Sequence, residues 1–476
     1  VSRKKSQGKK RISHLLQEDL SGVSQQILAD PLIAQVAAIA RQKKISLYLV
    51  GGVIRDLLLK RQVKDYDFVL AKIKMPFLHQ LQELWEADLF PMGKGKLARV
   101  CRLVKEEKTF DFASMVGDDV GQDLMRRDFT INAIAYDFGE GRFYADPKAI
   151  GDIKAGKIAM VSPQALQADP LRILRAIRYR CILPGFDLAE PLKEEIARRR
   201  ELLSSVAPER IRAELDEIIL SPLPAQGLWL MHELGLLSCV FPELTPLAGL
   251  PQGRHHLTDA LSHTIEVVGE AVNLARKGNP FSLRPTDQQL LIVGYAALFH
   301  DLGKTTTQSI DEQGEVHFYG HPQESARLAQ GIMRRLKFTN RVRDGVMLLV
   351  ENHMRILTLA TGKPLDKALR RLIHAMGKEI SLLLLLGLAE TGSKVNGSKD
   401  EQGLFMHLCR RLWDLYERED LISPEPLLKG RDLLSLGHAP GPRMGEILSA
   451  VRERQIAGEL RTKEEALGFV EEKYPP

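Results

Sequence analysis

The spacing of apolar residues changes once along this chain, near Ala168, and that change limits the fold more than any single motif does. Upstream, helical and strand-like stretches alternate. Residues 25–43 carry Ile27, Leu32, Ile33, Val36 and Ile39 at helical spacing, and 45–50 is a short strand-like run. A short helix is expected over 53–60, a buried strand over 66–70 and a helix over 77–88. Strands are expected over 97–104 and 109–114, and a helix over 132–136. Downstream, apolar residues recur at three and four and β-branched alternation disappears, so the remainder should be almost entirely helical. The fold class is therefore α+β, with a mixed-sheet head followed by an all-α neck, body and tail. At 476 residues the chain is too long for one ordinary core.

Composition narrows the class. With 44% hydrophobic and 27% charged residues, the chain reads as a soluble globular protein; its longest apolar run, 380–388, is too short to span a bilayer, so no membrane is expected. Cys101, Cys181, Cys239 and Cys409 are scattered without a CxxC pair, which argues against a zinc knuckle or disulfide framework and fits a cytoplasmic location. Residues 1–24 form a basic, flexible arm without the apolar stretch of a signal peptide. A net charge of +6 is compatible with a polyanionic partner.

The chemistry is densest in Leu49-Val50-Gly51-Gly52-Val53-Ile54-Arg55-Asp56, followed by Lys64-Asp65-Tyr66-Asp67-Phe68. Gly51 and Gly52 after a strand let backbone N–H groups approach a triphosphate, with a helix start aimed at the anion. Asp65 and Asp67 lie at i and i+2 of a strand, so both carboxylates share a face. Such a pair suits Mg²⁺, and a two-metal site can stabilise both oxygens of an in-line displacement at phosphorus. Taken singly, Gly-Gly is an ordinary turn and Asp-x-Asp an ordinary solvated strand end. In this order they resemble the nucleotidyltransferase superfamily, and the sequence is similar to the tRNA nucleotidyltransferases shared by bacteria and eukaryotes, a class that includes bacterial poly(A) polymerases.

That resemblance implies template-independent addition of C and/or A, from CTP and/or ATP, to the 3′ end of tRNA. The RNA 3′-hydroxyl attacks the α-phosphate and pyrophosphate leaves. It carries Asp65 and Asp67 over as catalytic Mg²⁺ ligands and places Gly51, Gly52, Arg55 and Asp56 around the triphosphate. The segment Asp123-Leu124-Met125-Arg126-Arg127-Asp128-Phe129-Thr130-Ile131-Asn132 resembles the part that grips sugar and triphosphate, which points to Arg127, Asp128 and Asn132. Asp169-Pro170-Leu171-Arg172 resembles the amino-acid template for the base, implicating Asp169 and Arg172 with Arg175 and Arg178 on the same helix; a capped amphipathic helix is the plain alternative. Two departures stand out. Ala168 replaces the family's Glu, and only eleven residues, 112–122, separate Asp111 from Asp123. Enzymes adding complete CCA usually carry a longer loop there, so the resemblance leaves two expectations, complete CCA addition or partial, CC-adding activity. Asp111 sits where a third acidic residue would face the metal site, or is a structural strand residue.

In the helical part, Phe299-His300-Asp301-Leu302-Gly303-Lys304 resembles the core of HD-type phosphohydrolases. His263, His300, Asp301 and Glu390 are the expected ligands of a second divalent metal, with His321 and His353 available to complete the sphere. The family's last ligand is usually Asp, and Glu390 is longer by a methylene. The pair His255-His256 reads as a loop feature, and 426–445 resembles an RNA-contacting tail. The expected organisation is arm 1–24, head 25–160, neck 161–225, body 226–400 and tail 401–476. A poly(A) polymerase acting on general RNA, and an HD phosphohydrolase with a secondary head, are the alternatives.

Overall fold

The computed structural model describes residues 17–92, 100–251, 258–362, 364–393, 399–418, 420–422 and 424–476. Most of the expected arm and the pair His255-His256 lie outside the described residues. The chain divides into two compact units, Val1–Val206 and Ala207–Pro476. The division falls inside the expected neck, because Pro208–Ile219 packs with the helices that follow it.

The first unit opens with helices Gln17–Ala29 and Pro31–Gln42. One helix was expected over 25–43, beginning after a flexible arm, and two points of that expectation are corrected. The first helix starts at Gln17, inside the stretch assigned to the arm. Asp30 then breaks the run: its carboxylate accepts from Leu32 N at 3.0 Å and Ile33 N at 3.4 Å, and Pro31 occupies the first turn.

A seven-stranded sheet follows, in the order β3-β4-β5-β2-β1-β6-β7. Its strands are β1 Leu47–Val50, β2 Asp65–Leu70, β3 Asp88–Met92, β4 Val100–Lys105, β5 Lys108–Ser114, β6 Ile134–Asp137 and β7 Arg142–Ala145. Within this sheet, among the described residues, only the β2–β5 pair is parallel. Phe68, Phe110 and Phe112 are fully buried against this pair, Phe68 and Phe112 stacking at 4.9 Å. Burial of each such ring contributes roughly 1.5–3 kcal/mol, enough to hold the register. The expected helix over 132–136 is instead a 3₁₀ turn, Thr130–Asn132, leading into β6. All four residues of β6 are buried between β1 and β7, and periodicity cannot distinguish so short an apolar run from helix. The helix expected over 77–88 runs from Met75 to Trp85 and stops at Glu86 in the left-handed region, and Asp88 opens strand β3, for which no strand was expected.

The second unit is built on helices Ala260–Lys277, Asp287–Phe299, Asn340–Thr361 and Ile380–Gly392, which pack on one another. The short hairpin Ser309–Ile310 with Val316–His317 interrupts the all-helical pattern. Helix Lys399–Arg418 was placed with the tail, yet its buried face of Phe405, Leu408, Cys409 and Leu412 packs against the body. A separate small core of Leu428, Leu433, Ile447, Val451, Ala466 and Val470 forms the tail proper. The expectation that no apolar stretch reaches membrane-spanning length also needs correction. By length and composition one described segment, Asp366–Gly392, meets that test, although 72% of its window is buried inside the protein and Gly377 interrupts it at φ 55°.

Candidate active site and a second metal-type centre

Strand register assembles the first site. Asp65 pairs with Thr109 and Asp67 with Asp111 across the parallel β2–β5 ladder, so side-chain alternation brings all three carboxylates to one face. Asp65 accepts from the Thr109 hydroxyl. Asp111 receives two hydrogen bonds from Arg102, Nε to Oδ1 and Nη2 to Oδ2, both at 2.7 Å. One edge of Asp67 meets solvent at the strand end, while the surrounding walls crowd the carboxylate. Loss of hydration is the main cause that pushes Asp67 up to about 6; Arg127 opposes it, and Asp111 and Asp65 add to it. A carboxylate held up by dehydration and like charge fits a divalent cation, and Asp65 and Asp67 would hold it.

Gly51 closes the other side. Its φ of +84° lies in the left-handed region, and a Cβ there would stand 3.0 Å from Arg127 Nη1 and 3.7 Å from Asp67 Oδ2. Helix Gly52–Leu58 begins at this turn and carries Arg55 inward. The Arg55 guanidinium binds Asp56 at 3.0 and 2.8 Å and Asn132 Oδ1 at 2.5 Å, and lies over the Tyr179 ring at 5.2 Å. Asn132 donates to Asp128 Oδ1 at 3.0 Å, and Arg175 binds Asp128 Oδ2 at 3.0 and 2.8 Å. Burial alone would raise the Asp128 carboxyl, but Arg175, Asn132 and the Phe129 N–H hold it below the usual carboxylate range.

The structure thus sets Arg127 and Asp67 beside the Gly51 turn, with Asp65 on the same strand face and Gly52 against Arg55, and joins Arg55, Asp56, Asn132, Asp128 and Arg175 in a hydrogen-bonded network. Arg178 joins it through Tyr179, its guanidinium 5.1 Å from the ring centre. Asp169 and Arg172 lie at the start of helix Arg172–Ile182. The Asp169 carboxylate accepts from Leu171 N at 3.3 Å in the turn before the helix, whose cap position, Leu171, carries no side-chain cap. Arg172 donates to backbone carbonyls of Arg126 at 2.7 Å, Arg127 at 3.2 Å and Ala165 at 3.2 Å. Sequence reasoning missed Arg102 and Tyr179. Arg102 carries no local signal, since only the β4–β5 register sets it opposite Asp111.

A second cluster lies in the helical unit. His263 and His300 meet Glu390 Oε2 at 3.0 and 3.1 Å, while His300 Nε2 is 3.1 Å from Asp301. His321 Nε2 lies 3.6 Å from Asp301 and 3.2 Å from His353 Nε2. All six side chains are buried. His300, His321 and His353 each place Nδ1 within 2.8 Å of the carbonyl three residues earlier, in Ala297, Phe318 and Val350. Donation from Nδ1 to that carbonyl points Nε2 at the centre, the arrangement metal-binding imidazoles use. His300 Nε2 makes no hydrogen bond of good geometry despite its two carboxylate neighbours. Burial would strip its proton, yet Asp301 and Glu390 outweigh burial and hold it up to about 10, while burial and the nearby His300 push His353 down to about 3. The donors fall into two triads, His263–His300–Glu390 and Asp301–His321–His353, and either could hold a cation. Glu390 is long enough to reach both of its histidines despite the added methylene.

Comparison with known proteins gives these sites a family. Residues 47–159 match the Poly A polymerase head domain, 185–247 the RNA- and SrmB-binding site of polymerase A, 260–384 the HD domain and 325–470 tRNA nucleotidyltransferase domain 2. The A-adding tRNA nucleotidyltransferase of Deinococcus radiodurans is 34% identical over 89% of this chain and 94% of its own length. The chain belongs to the tRNA nucleotidyltransferase family. The CC-adding member from Thermus thermophilus is 32% identical over 88% of this chain and 92% of its own length. Among solved structures, a CCA-adding enzyme with CTP shares the fold at a TM-score of 0.64 and 18% identity, covering 95% of this chain and 97% of that one.

Proposed function

We propose that this nucleotidyltransferase takes CTP and adds two C residues to the 3′ end of tRNA, stopping before A. The short connection between Asp111 and Asp123, eleven residues against the longer loop expected of complete CCA addition, carries this reading. It is fastened at several points: Met115 N donates to Leu70 O at 2.7 Å and Gln122 N to Asp119 Oδ1 at 2.9 Å. Relatives of both partial specificities resemble the chain, so A addition is the rival.

In this scheme Arg127, Arg55 and the Gly51 turn take the triphosphate, and Asp128 with Asn132 takes the ribose. Asp65 and Asp67 would hold Mg²⁺, which would supply acidity to the primer hydroxyl and positive charge against the phosphates. The bond formed joins the 3′ oxygen to the α-phosphorus, and the bond broken releases pyrophosphate. Base choice falls to Asp169 and Arg172. Arg172 must exchange carbonyl contacts to reach a base, which couples base recognition to the position of residues 126 and 127.

A second reading attaches to the second unit, where six convergent, buried ligands favour a metal-dependent phosphohydrolase acting on phosphate esters. The deciding experiment incubates tRNA transcripts ending before the tail, after C and after CC with Mg²⁺ and CTP, ATP or both, sizing products to one nucleotide. Two C additions and no A are expected. Completion to CCA, A added only to the CC primer, or equal extension of generic RNA would each overturn the proposal in favour of a CCA-adding, A-adding or poly(A) enzyme.

A further inference from the structure

We propose that Asp123 is the positioning residue that sets Arg127 for the triphosphate, an inference that rests on the nucleotidyl-transfer reading above. Asp123 is fully buried, and a carboxylate in that setting is costly unless its oxygens are satisfied. Here they are. Oδ1 accepts from Arg126 Nε at 3.0 Å, Arg126 Nη2 at 2.7 Å and Val116 N at 3.1 Å, and Oδ2 accepts from Arg127 Nη2 at 3.2 Å.

The consequence for Arg127 is a fixed direction. With Nη2 held by Asp123, Nη1 lies against the Gly51 turn, 3.0 Å from the place a Cβ would occupy. Arg127 is also the leading favourable charge on Asp67, so its guanidinium stands between the phosphate turn and the metal carboxylates. Its Nε is buried with no hydrogen-bond partner among the described residues. An arginine with one nitrogen anchored, one at the anion turn and one unused is organised for a ligand that has not yet arrived. Without the anchor, a long side chain would surrender rotamer freedom on every binding event.

The same anchor fastens the short turn before it. Val116 N donates to Asp123, and Asp118 N donates to Gln122 Oε1 at 3.2 Å. Gly117, at φ +99°, leaves no room for a Cβ, which would fall 2.6 Å from that amide oxygen. Turn and arginines therefore share one carboxylate. The side-chain hydrogen bonds of Asp123 go to Arg126, Arg127 and Val116, so its most direct effect falls on phosphate binding through Arg127.

The test is Asp123→Asn, with Asp123→Glu as a second variant that keeps the charge in case the first folds poorly. Expected for Asp123→Asn is a roughly tenfold rise in nucleotide KM and an equal rise in the dissociation constant of Mg²⁺-pyrophosphate by calorimetry, with KM for tRNA unchanged. Asp123→Glu should fall between. In an Arg127→Ala background the Asp123→Asn increment should vanish, which a merely structural role would not produce. Folded variants with unchanged pyrophosphate affinity, or an increment that multiplies in full onto Arg127→Ala, overturn the proposal. Wild-type protein that extends no primer would count against the transfer reading alone, because pyrophosphate binding still reads the Asp123 effect.

Discussion

The two charged centres of this chain solve the same problem in opposite ways. Both gather carboxylates where a divalent cation fits. In the head, Asp65 and Asp67 sit at a strand end open to solvent, and order comes from a ring of arginines tied to partners other than the carboxylates. In the helical unit all six candidate ligands are buried and three imidazoles are fixed by their own helices or turns. An open site admits a polymer end and a triphosphate together; a closed one favours tight metal retention and a small reacting group. Access separates the two centres more than donor chemistry does.

The comparison can be broken by testing independence. The largest effect is expected from Asp65→Ala with Asp67→Ala, which should lower nucleotide transfer on the order of 10³-fold while metal content of the helical unit, read by elemental analysis, stays at the wild-type level. Loss of both together would show that the centres are not separate. Next, His300→Ala removes the imidazole shared by both carboxylates. It should reduce bound transition metal by roughly tenfold or more and abolish any metal-dependent phosphomonoester hydrolysis, with tRNA extension within about twofold of wild type. Extension falling in step with metal would contradict the division of labour.

The smallest effect concerns stability. Burial is the main cause that holds Asp216 up to about 6, against the pull of its hydrogen bond from Tyr295 and of Arg212. A carboxyl raised above its unfolded value stabilises the fold fully below about pH 4, and that contribution is lost as pH rises through about 6. Asp216→Asn still accepts the Tyr295 proton and carries no charge to bury. It should flatten stability across this window and gain about 1 kcal/mol at pH 8, measured by urea unfolding at several pH values. A variant whose pH profile tracks wild type would show that another group sets the slope.

Motif residues of both sites were legible in the sequence because local chemistry demands them: Gly51 needs positive φ, Asp65 and Asp67 share a strand face, and His300-Asp301 are adjacent. What the sequence withheld depends on partners distant along the chain. Nothing near Asp111 reveals its pairing with Arg102, since strand register decides it. The same holds for Arg172, whose helix start reads as a base-selecting template while its guanidinium is engaged by carbonyls some 45 residues upstream. Asp30 was legible in principle, because Asp followed by Pro is a helix-start signal, but continuous apolar spacing across 25–43 masked the break. Residues 132–136 failed for a different reason. Four buried residues in a row carry no period.

The sheet order has a consequence for how the head is made. β1 lies between β2 and β6, and β2 finds its parallel neighbour β5 only after an excursion through β3 and β4. During synthesis the strand bearing Asp65 and Asp67 emerges some forty residues before the strand that completes its ladder. The partner that closes β1 on its other side, β6, appears later still. Non-local pairings of this kind close slowly. The metal carboxylates of a nascent head therefore wait, without their parallel partner, until residues near 114 have left the ribosome. Truncations ending before β6 should yield a chain that binds no nucleotide even though every catalytic motif residue up to Asp128 is present.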